Sequence, residues 1–465
     1  MLLNHILKMK RMKCKSTLSF LLVVFCLLGA QSCRPGERVP RNVILFIADG
    51  CGFNHMEAAS LFAHGLPEAQ VYAQFPIKYA MTTYPAEGSV YDPHSAWKTF
   101  SYVKEGATDS AAAATAIATG IKTYNGAINV DPQRERLTTA FEVAEQRGRS
   151  TGIVSSVYFT HATPACFAAH NPRRSNTLSI GREMLLESPV DVIMGCGHPD
   201  YNKQGKPSLK PRYQNVGGRD TWEALRQGRA GGDADQDGED DPWSLIETRD
   251  EFIALASGPT PRRVLGIPRI YGTLQQDRMG DGQAAPYAVP KLDGVPTLEE
   301  MTLAALNVLD EDRDGFFLMV EGGAVDWAAH DHQAGRMIEE QIDFDKAVEA
   351  VVEWIESNSS WKETLIIVTS DHETGYLTGP GSGEAQLGDD GGSAEWIPLH
   401  GRGRGEAPAD QWNKGGHTNS LVPFFAKGAG SQRFEPYAVG SDPVRGAYLD
   451  NTDIGRVLFS FLEDH

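Results

Sequence analysis

Two metal-binding side chains, Asp371 and His372, stand at the end of the apolar run Leu365-Ile366-Ile367-Val368-Thr369-Ser370. A buried strand ends there at a ligand-facing edge, and a carboxylate next to an imidazole offers donors to one cation. Four other segments repeat the arrangement. Asp49 follows Val43-Ile44-Leu45-Phe46-Ile47-Ala48, and Thr108-Asp109-Ser110 precedes an alanine-rich stretch. Glu321 through His330 follow Phe316-Phe317-Leu318-Met319-Val320, and His417-Thr418-Asn419 precedes Leu421-Val422-Pro423-Phe424-Phe425. Carboxylates, imidazoles and one hydroxyl beside so many hydrophobic runs read as a metal-assisted hydrolase.

Each segment has a plainer alternative. Ser110 opens a helix whose free amides and dipole suit an anion, so it is either a nucleophile or a cap. No glycine-flanked elbow surrounds it, which argues against a Ser-His-Asp hydrolase and for metal coordination as the route to its alkoxide. Asp326 and His330 are one helical turn apart and can face the same ion. The plainer alternative for this segment is that Asp326 caps a helix and His330 lies exposed. Asp310-Glu311-Asp312-Arg313-Asp314-Gly315 with Glu321 satisfies the spacing of a calcium loop, but a strand rather than a helix follows it. The run Asp233-Ala234-Asp235-Gln236-Asp237-Gly238 lacks the closing glutamate. Both acidic runs are expected to be solvated turns, with the Asp233 loop the better calcium candidate.

The elements that must position these residues alternate between apolar strands and helical stretches, such as Leu137 to Gly148, Leu298 to Leu309 and Met337 to Ile355. This predicts an α/β fold with helices on both faces of a sheet. The candidate residues span nearly the whole length, so one catalytic domain, 41–465, is more economical than several. Stretches 197–262 and 379–416, rich in glycine, proline and charge, are expected as surface insertions, the second near the site entrance. No internal repeat is visible.

With 465 residues, of which 41% are hydrophobic, the chain has enough apolar content for a sizeable core. A formal charge of -18 disfavours a nucleic-acid polymer as partner and requires any phosphate site to be a local focus of positive charge. Residues 1–32, basic and then apolar over a stretch too short to span a membrane, read as an export signal, with 33–40 as a tether. Cys33 after Ala30-Gln31-Ser32 resembles a bacterial lipoprotein anchor. The expected location is therefore periplasmic or membrane-anchored. Once Cys14, Cys26 and Cys33 are set aside, Cys51, Cys166 and Cys196 form no disulfide framework or zinc ribbon and read as buried apolar side chains.

Taken in order, Asp49-Gly50, Thr108-Asp109-Ser110-Ala111, Val320-Glu321-Gly322-Gly323, Asp326 with His330, Ser370-Asp371-His372-Glu373-Thr374-Gly375 and His417-Thr418 resemble the motifs of the alkaline phosphatases. The resemblance implies a large, mostly parallel central β-sheet, usually in a dimer, with two zinc ions and one magnesium. It assigns Asp326, His330 and His417 to one zinc. Asp49, Asp371 and His372 go to the other, beside Ser110. Asp49, Thr163 and Glu321 go to magnesium. It also implies an arginine on the phosphate. Family spacing from Thr163 selects Arg174, with Arg173 as the fallback. His161 stands where some relatives have aspartate, and Trp327 where some have lysine, so His161 is either a ligand of the third metal or a hydrogen-bonding neighbour.

The function so implied is hydrolysis of small phosphate monoesters through a phosphoserine, releasing inorganic phosphate and an alcohol. Competing readings are a phosphodiesterase or sulfatase of related fold and a non-catalytic calcium- or phosphate-binding surface lipoprotein. Ser110-Ala111-Ala112-Ala113 lacks the proline and arginine of a sulfatase signature.

Overall fold

Strands that are apolar at every position, rather than at alternate ones, must be covered on both faces. The computed structural model, which describes residues 39–234, 238–384 and 394–463, follows this rule. The export signal, Cys33, the tether up to residue 38, the centre of the Asp233 loop and part of 379–416 lie outside the described residues. The strands in chain order are β1 (Asn42–Ala48), β2 (Ile77–Thr82), β3 (Ser150–Tyr158), β4 (Val192–Cys196), β5 (Ser244–Ile246), β6 (Val264–Gly266), β7 (Phe316–Gly322) and β8 (Thr364–Thr369). They continue with β9 (Glu373–Thr374), β10 (Leu377–Thr378), β11 (Gln411–Trp412), β12 (His417–Thr418), β13 (Val422–Gly428), β14 (Gly440–Asp442) and β15 (Gly446–Asp450).

Eleven of these form one sheet in the order β14-β15-β2-β13-β8-β1-β7-β3-β4-β6-β5. From β8 to β5 every neighbouring pair is parallel. The antiparallel pairs gather at the other end, around β13 and β14. The sheet is thus mixed and mostly parallel.

The helices that position the site or cover the sheet are α1 (Phe53–His64), α2 (Ser110–Thr119), α3 (Ala140–Gln146), α4 (Ala162–Ala165), α5 (Arg219–Arg226) and α6 (Arg249–Leu255). After them come α7 (Leu298–Leu309), α8 (Ala324–His330), α9 (Ala334–Asn358) and α10 (Thr452–Glu463). Alternate residues of a strand point to opposite faces. Val43, Leu45 and Ile47 accordingly join a core with α2, α3 and α10, whereas Ile44, Phe46 and Ala48 join one with α1, α7 and α9. Phe46 meets Phe344 of α9 edge-on at 5.6 Å. Emptying such a position, as in Phe46→Ala, costs about 3–5 kcal/mol.

Three local expectations meet refinements. The helix expected from Leu137 begins at Ala140, because Thr139 caps it and Glu142 returns a bond to the Thr139 amide. The stretch 197–262 is not only surface: it carries α5, the sheet's edge strand β5, and α6, whose Phe252 is fully buried. The run Asp310 to Gly315 turns directly into β7 with no exiting helix, and Asp312 Oδ2 accepts from both Ser150 N and Ser150 Oγ at 2.8 Å. Cys51, Cys166 and Cys196 are buried free thiols. No helix among the described residues is long and apolar enough to cross a membrane.

Candidate active site

Register brings the first acidic groups together. β1 pairs with β7 so that Ile47 faces Glu321 and Ala48 faces Gly322, and with β8 so that Ile47 faces Thr369. Parallel strands present their carboxyl ends on one edge. Asp49, Glu321 and Asp371 therefore come level across three adjacent strands. Gly50 then turns the chain at a positive φ of 75°, and a Cβ there would lie 2.8 Å from the Asp326 backbone. Only glycine allows this approach.

Other elements bring the remaining groups. α8 carries Asp326 and His330 one turn apart, while β12 pairs antiparallel with β9, setting His417 opposite Thr374. The His417 ring stacks on that of His372 with centroids 3.6 Å apart. Ser110 begins α2, whose cap is Asp109: its Oδ1 accepts from Ala112 N at 3.0 Å. Ser110 Oγ lies 3.2 Å from His372 Nε2.

Three donor clusters result, the second and third sharing Asp49. In the first, Asp326 Oδ1 is 3.4 Å from His330 Nε2 and 3.6 Å from His417 Nε2, and the two imidazole nitrogens are 3.0 Å apart. In the second, His372 Nε2 is 3.4 Å from Asp49 Oδ1 and 3.2 Å from Asp371 Oδ2. In the third, His161 Nδ1 lies 3.8 Å from both Asp49 Oδ2 and Glu321 Oε1. Thr163 sits two residues beyond His161 on α4, with its hydroxyl buried.

Several donors in these clusters are buried without a hydrogen-bond partner. They are both oxygens of Asp49, Asp371 Oδ2, Glu321 Oε1, Thr163 Oγ1 and His161 Nδ1. Buried polar atoms are almost always paired, so a set of orphans converging from different strands fits cations as their missing partners. The electrostatics agree. Burial, then the neighbouring Asp371, Asp326 and Glu321 carboxylates, push the Asp49 carboxyl well above its ordinary range. Burial and Asp326 push Asp371 up to about 8. Burial, together with His417 and His330, holds the His372 imidazole far below its usual value. Like charges are crowded here, and bound positive ions would offset that crowding.

Of the two arginines, Arg174 turns inward. Its Nη1 donates to Asp109 Oδ2 at 2.9 Å and its Nη2 to His161 Nε2 at 3.0 Å. Burial works against its charge, but the pull of Asp109, joined by Asp49 and Tyr158, leaves its pKa raised. Arg173 is exposed. The His161 ring meets Tyr158 and Trp327 edge-on, with centroids 5.4 and 6.0 Å away.

Three side chains that touch the site were passed over in reading the sequence. Asp109 holds Arg174, Ser155 donates to Glu321 Oε2, and Thr374 donates to Asp326 Oδ1 at 2.5 Å. Asp109 and Thr374 were within sight, inside the quoted motifs. Ser155 carried no signal, since it is one of several small polar residues in β3 and meets Glu321 only through the β3-β7 register.

A mostly parallel sheet whose carboxyl edge gathers carboxylates, imidazoles and the serine that begins α2 has the make-up of a metal-ligand site of hydrolase type. The alkaline phosphatase family profile matches residues 40–392, and the chain belongs to the alkaline phosphatase family. Alkaline phosphatase 4 of Bacillus subtilis is 32% identical over 353 residues, covering 74% of this chain and 64% of that protein. The alkaline phosphatase of Escherichia coli K12 is 30% identical over 366 residues, covering 72% and 70%. The chain spans somewhat under two thirds of the length of the Bacillus relatives it matches. The solved alkaline phosphatase of the Antarctic bacterium TAB5 superposes with a TM-score of 0.63 at 26% identity, covering 92% of this chain and all of that one.

Proposed function

We propose that the protein hydrolyses phosphate monoesters through a covalent phosphoserine on Ser110, releasing inorganic phosphate and an alcohol. The observation that carries this reading is the position of the Ser110 hydroxyl, buried at the start of α2 and 3.2 Å from His372 Nε2, amid the orphaned donors. Ser110 Oγ attacks phosphorus, the bond from phosphorus to the alcohol oxygen breaks, and that oxygen takes up a proton. Water then attacks the phosphoserine, the bond from phosphorus to Oγ breaks, and Oγ regains its proton. Asp109 keeps Arg174 in place for two phosphate oxygens, a planar contact that guanidinium makes better than ammonium.

Asp326, His330 and His417 suit one zinc, and Asp49, Asp371 and His372 another, because nitrogen and oxygen donors in sets of three leave positions open. Asp49, Glu321 and Thr163 are the oxygen donors of the third cluster and suit magnesium, with His161 beside them as nitrogen donor or neighbour. A solved TAB5 alkaline phosphatase variant carries magnesium in its M3 site. Bound here, the cations supply the concentrated positive charge on which ionised serine, leaving-group and water oxygens depend.

A site that grips mostly the phosphate leaves the alcohol weakly selected, so broad use of monoesters is expected. The reading includes export, with lipidation at Cys33 as one form of it, and a homodimer. Mass spectrometry of the mature N-terminus and sedimentation test those two parts. The central test compares initial rates on a phosphate monoester and a diester, and traps labelled phosphate on the enzyme by acid quench. Faster diester turnover, or a label that persists in Ser110→Ala, would overturn the proposal.

A further inference from the structure

The Thr374 hydroxyl reaches ligands of two different clusters. Thr374 Oγ1 lies 2.5 Å from Asp326 Oδ1 and 3.3 Å from His372 Nδ1. Asp326 Oδ1 is the oxygen nearest His330 and His417, the first cluster. His372 points its other nitrogen, Nε2, at Asp49, Asp371 and Ser110, the second cluster. All three residues are buried.

We propose that Thr374 is a positioning residue whose hydroxyl joins the two zinc pockets as a single strut. The inference rests on the two-zinc reading above. A hydroxyl has one proton to give and lone pairs to receive. The short contact to a carboxylate is charge-assisted and takes the hydroxyl proton, so Thr374 donates to Asp326 Oδ1. A lone pair of Oγ1 then faces His372 Nδ1. An imidazole that gives its Nε2 lone pair to a cation must carry its proton on Nδ1, and that proton needs an acceptor. The order His372 Nδ1–H to Thr374 Oγ1, then Thr374 O–H to Asp326 Oδ1, satisfies every group. It fixes the tautomer of His372 and the rotation of Asp326 together.

The backbone keeps the strut in register. Thr374 N donates to Gly50 O at 3.0 Å, and Thr374 pairs with His417 across β9 and β12. The residue is thereby tied to one ligand-bearing segment of each cluster. Its methyl group fills space in either case, so the hydroxyl and not the bulk is what the proposal concerns.

The test uses the full chain, stripped of metal and titrated with zinc alone against a chromophoric chelator. Cadmium-113 resonances of the substituted protein report the two pockets separately. In Thr374→Val and Thr374→Ala, both zinc affinities are expected to fall about 10- to 100-fold, as is usual when an outer hydrogen-bond partner of a ligand is lost, and both cadmium resonances to move. Thr374→Ser is expected to stay within about threefold of wild type. Unchanged affinities, or a loss confined to one pocket, would refute the strut. So would a serine variant as poor as valine, or a drop in melting temperature equal with and without zinc, since either means lost packing. Wild-type chain that takes up fewer than two zinc ions refutes the two-zinc reading itself before any variant is compared.

Discussion

Asp109 Oδ2 receives Arg174 Nη1 at 2.9 Å, while Oδ1 of the same carboxylate receives the backbone N–H groups of Ala112 and Gly126, both at 3.0 Å. One side chain therefore caps the helix that begins with Ser110 and holds the guanidinium proposed to grip phosphate. Asp109→Asn keeps an oxygen for the cap but no charge for Arg174. It is expected to raise KM for a phosphate monoester about tenfold, the loss of roughly 1.4 kcal/mol of positioning, with little change in melting temperature. Asp109→Ala is expected to add about 1 kcal/mol of destabilisation from the lost cap. Steady-state kinetics with urea denaturation separate the two effects.

The same geometry distinguishes the neighbouring arginines. Arg174→Lys is expected to lower kcat/KM on the order of 100-fold, because an ammonium cannot span two phosphate oxygens and still reach Asp109. Arg173→Ala, at an exposed side chain, is expected to change it less than about twofold. Inhibition by inorganic phosphate gives an independent reading, weakened only in the Arg174 variant.

Under the proposed reading, His161 tunes which cation the third cluster takes: as a ligand, its Nδ1 would join the oxygens of Asp49 and Glu321, and nitrogen favours zinc over magnesium. A neutral imidazole has a single lone pair, so ligation through Nδ1 would require the Arg174 contact at Nε2 to give way. His161→Asp is expected to shift bound metal towards magnesium, read by elemental analysis after equilibration with both ions. Unchanged composition would show that the ring is a neighbour of the cation and not its ligand.

Metal removal is expected to destabilise the fold, because the four carboxylates of Asp49, Glu321, Asp326 and Asp371 are then crowded without counter-charge. At free zinc about 1,000-fold above Kd, one site contributes about 4 kcal/mol to the folded state. Chelation should thus lower the melting temperature, and zinc should restore it. Equal melting curves would contradict the convergence of orphaned donors.

Away from the site, Glu340 on α9 is 5% exposed, with Oε1 lacking a partner, and burial followed by Asp343 pushes its carboxyl up to about 8. A carboxyl whose folded pKa is raised binds its proton more tightly when folded. Its contribution is complete below its unfolded pKa and is lost as pH rises through about 8. Glu340→Gln, neutral throughout, is expected to gain stability relative to wild type between about pH 5 and about pH 8, on the order of a few kcal/mol. Urea denaturation at both pH values measures the gain.

Local pattern revealed much of this protein. The apolar runs at Val43, Phe316, Leu365 and Leu421 became β1, β7, β8 and β13. Strands buried on both faces are mostly apolar, so a charged residue at their ends is conspicuous. The chemistry of the ligands was legible for the same reason, since Asp49, Glu321, Asp371 and His372 each stand at or just past a strand end.

Which of them meet was not legible from one segment at a time, and their motif order was informative only through resemblance. Convergence depends on the register of strands far apart in sequence and on where α2, α4 and α8 dock, and neither is encoded in local periodicity. That is why Ser155 under Glu321, Asp109 on Arg174 and Thr374 between Asp326 and His372 emerged only from the folded chain. It is also why a polar, glycine-rich stretch could hide the edge strand β5: three half-buried residues carry too little pattern to be seen until β6 supplies the partner. The long apolar strands and the kinds of donor at their ends follow from burial and side-chain chemistry, and so could be read one segment at a time. The tertiary structure alone decided the distances between them, because those are set by packing and pairing across the whole domain.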